Sequence, residues 1–378
     1  MTRAAPTGTV PNVRLAARYG RVSSRRPGAV RLTVGAVAVG LAAVVVFASA
    51  SDGNAARRSG GTGALRSGSP TRGARHGLPT LGGSQVVETD DVGDPFVLPV
   101  PAGVGGSPKP TYVLYWTTDW QSNVPTAVSA DLVHWHRVAD SLPALPPWAL
   151  PSRTMTWGPA VHRVGQTWVL YYSTEVAASR LECIGRATSA TPTGPFSDRS
   201  SAPLVCQSSL GGDIDPSVVT DSSGRSSLLW KNDGNAIGAP VGIWEQQLTS
   251  DGLSLTGAPS RLIGPDQAWE HAVVEGPAML AATKGGWWLF YSGGTWQSDT
   301  YDTGVAWCVT VSGPCNKAAS GPLLASTPSA VSPGGFDTFV DASGKLWASY
   351  SAFPSAPANP DAAMAENRVL EIAPILTH

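Results

Sequence analysis

Three carboxylates and one tryptophan stand next to prolines at intervals along the chain. Asp94 and Asp215 each come immediately before a proline, whereas Trp157 and Glu275 each come two residues before one. Hydrolysis of a glycosidic bond requires a protonated carboxyl group that donates to the leaving oxygen and a carboxylate that activates water or attacks carbon. The flat face of a tryptophan suits the C–H face of a sugar ring. If the fold brings the four side chains together, they form a site for cleaving sugars, or the three acids hold a cation.

Five aromatic segments recur with starts 56–60 residues apart, and they predict the elements that position these side chains. The segments are YVLYW at 112–116, WVLYYS at 168–173, SLLWK at 227–231, WWLFYS at 287–292 and LWASYS at 346–351. A repeat of this length with one short strand core in each copy favours one blade of a β-propeller with long loops. The sequence therefore predicts an all-β fold, a five-bladed β-propeller.

A proline phrase precedes each of the first four aromatic segments. Proline has no N–H to donate and fits the first residue of a strand, so the phrases mark equivalent strand ends in successive blades. If that strand is the innermost one, the three acids and the tryptophan meet at the central axis. The fifth copy has Gly334 and Gly335 and no proline at the matching place.

The N-terminal part of the chain differs from the predicted propeller. Residues 1–31 are basic, and residues 32–50 are an uncharged apolar run that ends in the cleavage pattern Ala48-Ser49-Ala50. This run is a signal peptide or a membrane anchor, with the following chain outside the cell. Residues 51–84 are rich in Gly, Ser and Arg and predict a flexible linker. The glycosidase domain is predicted at 85–378, either secreted or anchored to the cell membrane.

The charge distribution argues against nucleic acid as a partner. Only 14% of residues are charged, and the formal net charge of −1 divides into +11 for residues 1–84 and −12 for residues 85–378. The predicted domain thus lacks the basic surface that a polyanion requires. We expect a monomer that touches a membrane only through residues 32–50, if that segment is not cleaved.

Fourteen tryptophans all lie at or beyond Trp116, within the predicted domain. Our candidates for sugar contacts are Trp157, by its place in the repeat, and Trp120 and Trp296, which follow strand cores where a loop at a pocket rim begins. Packing between blades is the alternative for each of them.

Four cysteines lie in the part of the chain predicted to be exported, where disulfides form. Three pairings are possible. Proximity in sequence favours Cys183 with Cys206 and Cys308 with Cys315, and the absence of paired C-x-x-C spacing argues against zinc.

The acidic phrases, together with two further segments, give the sequence a resemblance to glycoside hydrolase family 43. SADLVHWHRV at 129–138 and CIGRATSATPTGPF at 183–196 look like segments of that family. The resemblance extends from about Asp90 to Phe353, with a final strand near Arg368–Ile372.

This resemblance implies hydrolysis with inversion of the anomeric carbon. Asp94 is then the general base on water, Glu275 the general acid, and Asp215 the residue that orients the acid and tunes its proton affinity. Glu270, five residues before Glu275, is the nearest competitor for the acid role.

The same resemblance bears on cofactors. Many members hold an axial metal ion with a His in the fifth phrase, where Gly335 stands here. We therefore expect no metal, with an axial ion as the alternative, and no organic cofactor, because transfer of a glycosyl group to water needs only carboxylates. His134 and His136 are predicted to be structural.

The leading hypothesis is an exported α-L-arabinofuranosidase that acts on arabinan or arabinoxylan. A β-xylosidase is the alternative within the same chemistry, so the expected partner is a pentose-containing polysaccharide or oligosaccharide. A non-catalytic carbohydrate-binding propeller is an alternative from another class. A membrane tether would also suit action on the arabinan of the organism's own envelope.

Overall fold

The computed structural model describes residues 77–88, 90–151, 155–363 and 366–377. The predicted basic region, the apolar segment and most of the predicted linker lie outside these ranges. In the described ranges, no helix is both long enough and apolar enough to cross a membrane.

Within the described residues, twenty strands form five antiparallel sheets, which are the five blades. Blade I contains β3 (Phe96–Val100), β4 (Thr111–Tyr115), β5 (Thr126–Ser129) and β6 (Trp135–Arg137). Blade II contains β7 (Thr156–Val164), β8 (Thr167–Glu175) and β9 (Glu182–Ser189). Blade III contains β10 (Asp213–Thr220), β11 (Ser226–Asn232), β12 (Ile243–Leu248) and β13 (Leu255–Ile263). Blade IV contains β14 (Val274–Ala281), β15 (Trp287–Gly293), β16 (Asp302–Cys308) and β17 (Cys315–Lys317).

Blade V joins the two ends of the domain. It contains β18 (Val331–Val340), β19 (Leu346–Phe353) and β20 (Val369–Leu376), and a single-turn helix, α1 (Pro360–Ala363), precedes β20. Both β1 (Thr80–Leu81) and β2 (Gln85–Glu88) pair with β20. Because β1 belongs to the sheet, the folded domain begins before residue 85, and the predicted end of the linker at residue 84 is corrected.

The first strands of the five blades contact one another in a closed ring, which confirms the five-bladed propeller. The aromatic segments of the sequence are the second strands, β4, β8, β11, β15 and β19. Their side chains fill five hydrophobic clusters, one between each pair of neighbouring blades. Examples are Tyr115 with Tyr172, Tyr171 with Trp230, Leu229 with Tyr291, Phe290 with Tyr350, and Trp116 with Leu370. The apolar faces of the repeats are thus buried against the neighbouring blades.

Near the start of each first strand, one residue at an equivalent position lies in the left-handed region of backbone conformation. The residues and their φ angles are Asp94 (50°), Gly158 (52°), Asp215 (56°), Gly276 (57°) and Gly335 (60°). A proline follows this residue in blades I to IV, and Phe336 takes that place in blade V. Left-handed backbone is unfavourable for most residues, although Asp tolerates it better than others. Two of the predicted site residues therefore occupy positions at which the other blades use glycine.

Both disulfides that sequence proximity favours are present. Cys183 is bonded to Cys206, and Cys308 is bonded to Cys315.

The closing strand β2 offers a test of how blade V holds the ring together. Val87 packs against the cluster between blades V and I, whereas Val86 is 53% exposed. Because Val87→Asp places a charge against this cluster and removes up to about 1.5–3 kcal/mol of apolar burial, we expect the melting temperature to fall by about 5 °C or more. Differential scanning calorimetry measures the change, with Val86→Asp as the matched control. Equal melting temperatures for the two variants would show that β2 does not contribute to closure.

Candidate active site

The ring of first strands surrounds an open cavity on the axis. All five left-handed residues line it, and Glu275 directly precedes one of them, Gly276. The structure therefore brings Asp94, Asp215 and Glu275, predicted from separate parts of the sequence, to one place. Each of the three side chains is partly buried.

Glu275 occupies a different strand position from the two aspartates. In β14 it pairs with Ser292, and the equivalent pairs in blades II, III and V are Trp157 with Ser173, Ile214 with Lys231, and Gly334 with Ser351. A bulge follows this position in each of these four blades. Glu275 and Trp157 are thus equivalent residues, one position before the left-handed residue.

Asp94 is held by blade I itself. The Thr117 hydroxyl donates to Asp94 Oδ2 at 2.6 Å and accepts the Gly158 N–H at 3.2 Å. Burial raises the pKa of Asp94 above its ordinary value, and the charge of Glu275 adds to this effect. The positive charge of Arg368 and the Thr117 hydrogen bond act in the opposite direction. Asp94 is therefore a carboxyl group whose basicity is increased at a site open to the cavity.

Asp215 is fixed on both sides by neighbouring blades. Its backbone N–H donates to the Ser173 hydroxyl at 3.1 Å, and its Oδ2 accepts the Gly276 N–H at 2.9 Å. Its pKa is raised well above the ordinary value, first by burial and then by the charges of Glu275 and Asp94. The acceptance of the Gly276 N–H places the Asp215 carboxyl group next to the backbone that carries Glu275.

Glu275 has a cationic partner that the sequence analysis missed. Lys231 Nζ lies 2.8 Å from Glu275 Oε2 and 3.2 Å from Asp233 Oδ1. The lysine side chain is 1% exposed and the Glu275 side chain 14% exposed. The sequence does indicate that this residue is unusual. When the five aromatic segments are aligned, Lys231 stands where the other copies have a Ser or Thr.

Two further residues near the acids also escaped the sequence analysis. The buried ring of Tyr301 occupies the space that a Cβ at Gly334 would need. Burial and then the charges of Glu275, Asp94 and Asp215 raise the pKa of its hydroxyl. The guanidinium of Arg368, the residue directly before β20, occupies the space that a Cβ at Gly93 would need. Neither residue belongs to the repeat, so no periodic pattern points to it.

The three predicted sugar-binding tryptophans have different surroundings. Trp120 is 58% exposed and adopts a left-handed φ of 73° in the loop after β4. Trp157 is partly buried. Trp296 packs against the small cluster of Val331 and Phe353, with the Arg368 guanidinium 4.8 Å from its ring centroid. Sugar contact by these tryptophans stays a prediction, and Trp120 has the most accessible face for it.

Glu270 has a structural environment, unlike Glu275. Its side chain is fully buried and accepts hydrogen bonds from Lys317 Nζ at 2.6 Å and from the Tyr291 hydroxyl at 2.8 Å. It also accepts two backbone N–H groups from the preceding turn. With these donors and no exposure, Glu270 has no access to a substrate.

The axial residues do not match the metal site that the resemblance describes. A Cβ at Gly335 would lie 2.9 Å from Asp94 Oδ1 and 3.0 Å from Asp94 Cα, so the two backbones leave no room for a ligand side chain there. Across the described residues, no three His, Cys, Asp or Glu side chains are grouped so that they could hold a metal. That the reaction needs no metal stays a prediction.

The comparison with protein families agrees with this geometry. The model for Glycosyl hydrolases family 43 matches residues 104–376. The chain belongs to this family. It is therefore a glycoside hydrolase, in a family of enzymes that invert the anomeric carbon. The match includes Asp215 and Glu275 and begins ten residues after Asp94, whose inclusion in the site depends on the axial geometry.

Solved structures of three enzymes that cleave glycosidic bonds share the fold. An endo-1,4-beta-xylanase from Bacteroides thetaiotaomicron is 26% identical, with a TM-score of 0.61 over 76% of this chain and 91% of the other. An endo-arabinase from the same organism is 20% identical, with a TM-score of 0.60 and coverage of 78% and 98%. An alpha-L-arabinofuranosidase from Lactobacillus brevis is 16% identical, with a TM-score of 0.60 and coverage of 76% and 91%. No curated protein matches the chain.

The structural role of Glu270 gives a test within this family 43 enzyme. Because Glu270→Gln removes one of the two carboxylates that pair with Lys317 and leaves only the exposed Asp266, we expect a loss of about 1.5–3 kcal/mol in the free energy of unfolding. The folded fraction should keep its kcat/KM within about threefold, since the residue lies outside the cavity. Urea unfolding measures the stability, and Lys317→Met in the same chain should restore part of it. A loss of turnover without a loss of stability would instead make Glu270 the acid.

Proposed function

We propose that this family 43 enzyme is an exported, inverting pentosidase that releases α-L-arabinofuranosyl residues from arabinan or arabinoxylan. The observation that carries the proposal is the convergence of Asp94 and Asp215 on one axial cavity, with Glu275 close to both. The pentose assignment is supported by the relatives of known structure, of which two are named for action on arabinan or arabinofuranosides and one for action on xylan. A β-xylosidase is the second candidate, supported by the 26% identity to the xylanase.

In the proposed reaction Asp94 is the general base. Its carboxylate takes a proton from a water molecule while the water oxygen attacks the anomeric carbon from the side opposite the leaving group. The Thr117 hydroxyl donates to Oδ2, which fixes the rotation of the carboxylate and leaves Oδ1 for the water. The raised pKa of Asp94, caused mainly by burial, makes it a stronger base than an exposed carboxylate.

Glu275 is the general acid. It gives its proton to the glycosidic oxygen as the bond from that oxygen to the anomeric carbon breaks. The oxygen thus gains an O–H bond as it loses its C–O bond. Asp215 acts beside it as the positioning residue, because its carboxyl group holds the Gly276 N–H at 2.9 Å. Its negative charge also opposes early loss of the Glu275 proton.

Export rests on residues 32–50, which lie outside the described residues, and is supported by the two disulfides of the folded domain. Disulfides persist in oxidising compartments and are rare in the cytosol. Whether residues 32–50 are removed or anchor the domain, the catalytic domain is outside the cell in this proposal.

The roles of the acids and the choice of pentose can be tested together. We expect the enzyme to release pentose from arabinan or arabinoxylan faster than from xylan, and Glu275→Gln and Asp94→Asn to lower kcat by about 10²–10⁴-fold. Proton NMR of the first product should show the anomer opposite to the one in the substrate. Preference for xylan would favour the β-xylosidase, and unchanged polysaccharide binding with no turnover in the natural chain would favour a carbohydrate-binding propeller.

The hydrogen bond from Thr117 predicts the acid limb of the pH profile. A general base works only when ionised, so activity falls as the pH drops through the raised pKa of Asp94. Thr117→Val removes a donor that favours the carboxylate, and we expect the acid limb of kcat/KM to move up by about one to two pH units. Thr118→Val, whose hydroxyl donates to the Ser122 carbonyl instead, is the control. An unmoved limb in the folded Thr117 variant would argue that Asp94 is not the base.

A further inference from the structure

Blade III departs from the other blades at one buried position. In blades I, II, IV and V a hydroxyl residue lies within two residues of the end of the second strand: Thr117, Ser173, Ser292 and Ser351. The first three of these hydroxyls each accept a hydrogen bond from a backbone N–H of the next blade. In blade III this position is Lys231, and the N–H of the next blade, that of Gly276, goes to the Asp215 carboxylate.

The lysine is therefore not needed to close the ring. A hydroxyl is sufficient at this position in the other blades, whereas a lysine that is 1% exposed loses nearly all its hydration. Its ammonium group has two recorded anionic partners, Glu275 at 2.8 Å and Asp233 at 3.2 Å. Burial by itself would lower the pKa of Lys231, but the charges of Glu275, Asp233 and Asp215 outweigh it and raise the pKa, so the lysine stays charged.

We propose that Lys231 is a positioning residue for the general acid, which holds the Glu275 carboxyl group in place and stabilises the carboxylate that forms when its proton is transferred. This inference rests on the proposed function, in which Glu275 is that acid. In the step itself, the Glu275 proton moves to the glycosidic oxygen as the glycosidic bond breaks. The attacking water loses its proton to Asp94, and Lys231 keeps all its protons.

Glu275 thus lies between groups of opposite effect. Asp94 and Asp215 face it with negative charge and favour its protonated form, Tyr301 faces it as a neutral phenol, and Lys231 favours its carboxylate. Asp233 shares the lysine with Glu275. Lys231 is thus the group beside Glu275 that favours departure of its proton during the reaction.

The test replaces the lysine by Met, which has similar volume and no charge, and by Ser, the side chain that three other blades carry. Loss of a cation 2.8 Å from Glu275 destabilises the carboxylate, so the proton is held more tightly. We expect the alkaline limb of kcat/KM to move up by about one to three pH units in both variants. Because weaker acid catalysis matters most for poor leaving groups, hydrolysis of the polysaccharide should fall about tenfold or more, and that of a p-nitrophenyl pentoside by less than about threefold.

Asp233→Asn is the matched control, since it removes the other partner of the lysine and leaves the contact with Glu275. Its alkaline limb should not move to higher pH. An upward shift equal to that of Lys231→Met would make the effect a general one of disturbing the ion pairs, and would overturn the proposal. An unmoved limb in both folded Lys231 variants would overturn it as well.

A second readout separates this proposal from the proposed function. Infrared difference spectra between the enzyme and Glu275→Gln follow the ionisation of this one carboxyl group without any substrate. The midpoint should rise by about one to three pH units in Lys231→Met. If the enzyme hydrolyses no pentoside but the midpoint rises, the proposed function fails and the effect of Lys231 on Glu275 stands. If pentosides are hydrolysed and the midpoint is unchanged, the proposed function stands and the proposed effect of Lys231 on Glu275 fails.

Discussion

The structure depends on a ring of hydrogen bonds that joins neighbouring blades around the axis. The N–H groups of Gly158, Asp215, Gly276 and Gly335 each donate to a side chain of the preceding blade, and the Ser349 hydroxyl donates to the Pro95 carbonyl between blades V and I. The left-handed backbone at each first strand is what turns these N–H groups across the blade boundary. The backbones approach closely at two of the ring positions. A Cβ at Gly158 would lie 3.1 Å from Asp215 Cα, and one at Gly335 would lie 3.0 Å from Asp94 Cα, so glycine suits both positions.

The site exists because two ring positions carry aspartate instead of glycine. The strain of a left-handed aspartate and the burial of a carboxyl group are both unfavourable, and such combinations concentrate at functional sites. Two cationic side chains oppose the negative charge of the acids. Arg368 acts on Asp94, whereas Lys231 acts on Glu275 and Asp215. The ring of hydrogen bonds that closes the propeller thus also restricts the positions of the acids, which would be less constrained on loops.

The five hydrophobic clusters between the blades keep the acids at fixed distances from one another. Five aromatic clusters, one at each blade boundary, hold the blades at fixed spacing, and β1 and β2 complete the last blade by pairing with β20. A site assembled from three blades depends on all five boundaries, because a shift of any blade changes the distances between the acids. Catalytic groups work only within narrow limits of distance and orientation.

The sequence by itself determined the repeat, the number of blades and the acids that face the axis, because strand cores and proline phrases are local patterns that recur at a fixed period. It placed the start of the domain too late, since the two-residue strand β1 has no pattern apart from its partner β20. Only the tertiary structure showed that Glu270 is fully buried and that Glu275 is partly exposed beside the other acids, because the two residues differ in their neighbours and not in type. It alone placed Lys231, Tyr301 and Arg368 beside the acids, because the charge that surrounds a carboxyl group comes from residues distant in sequence.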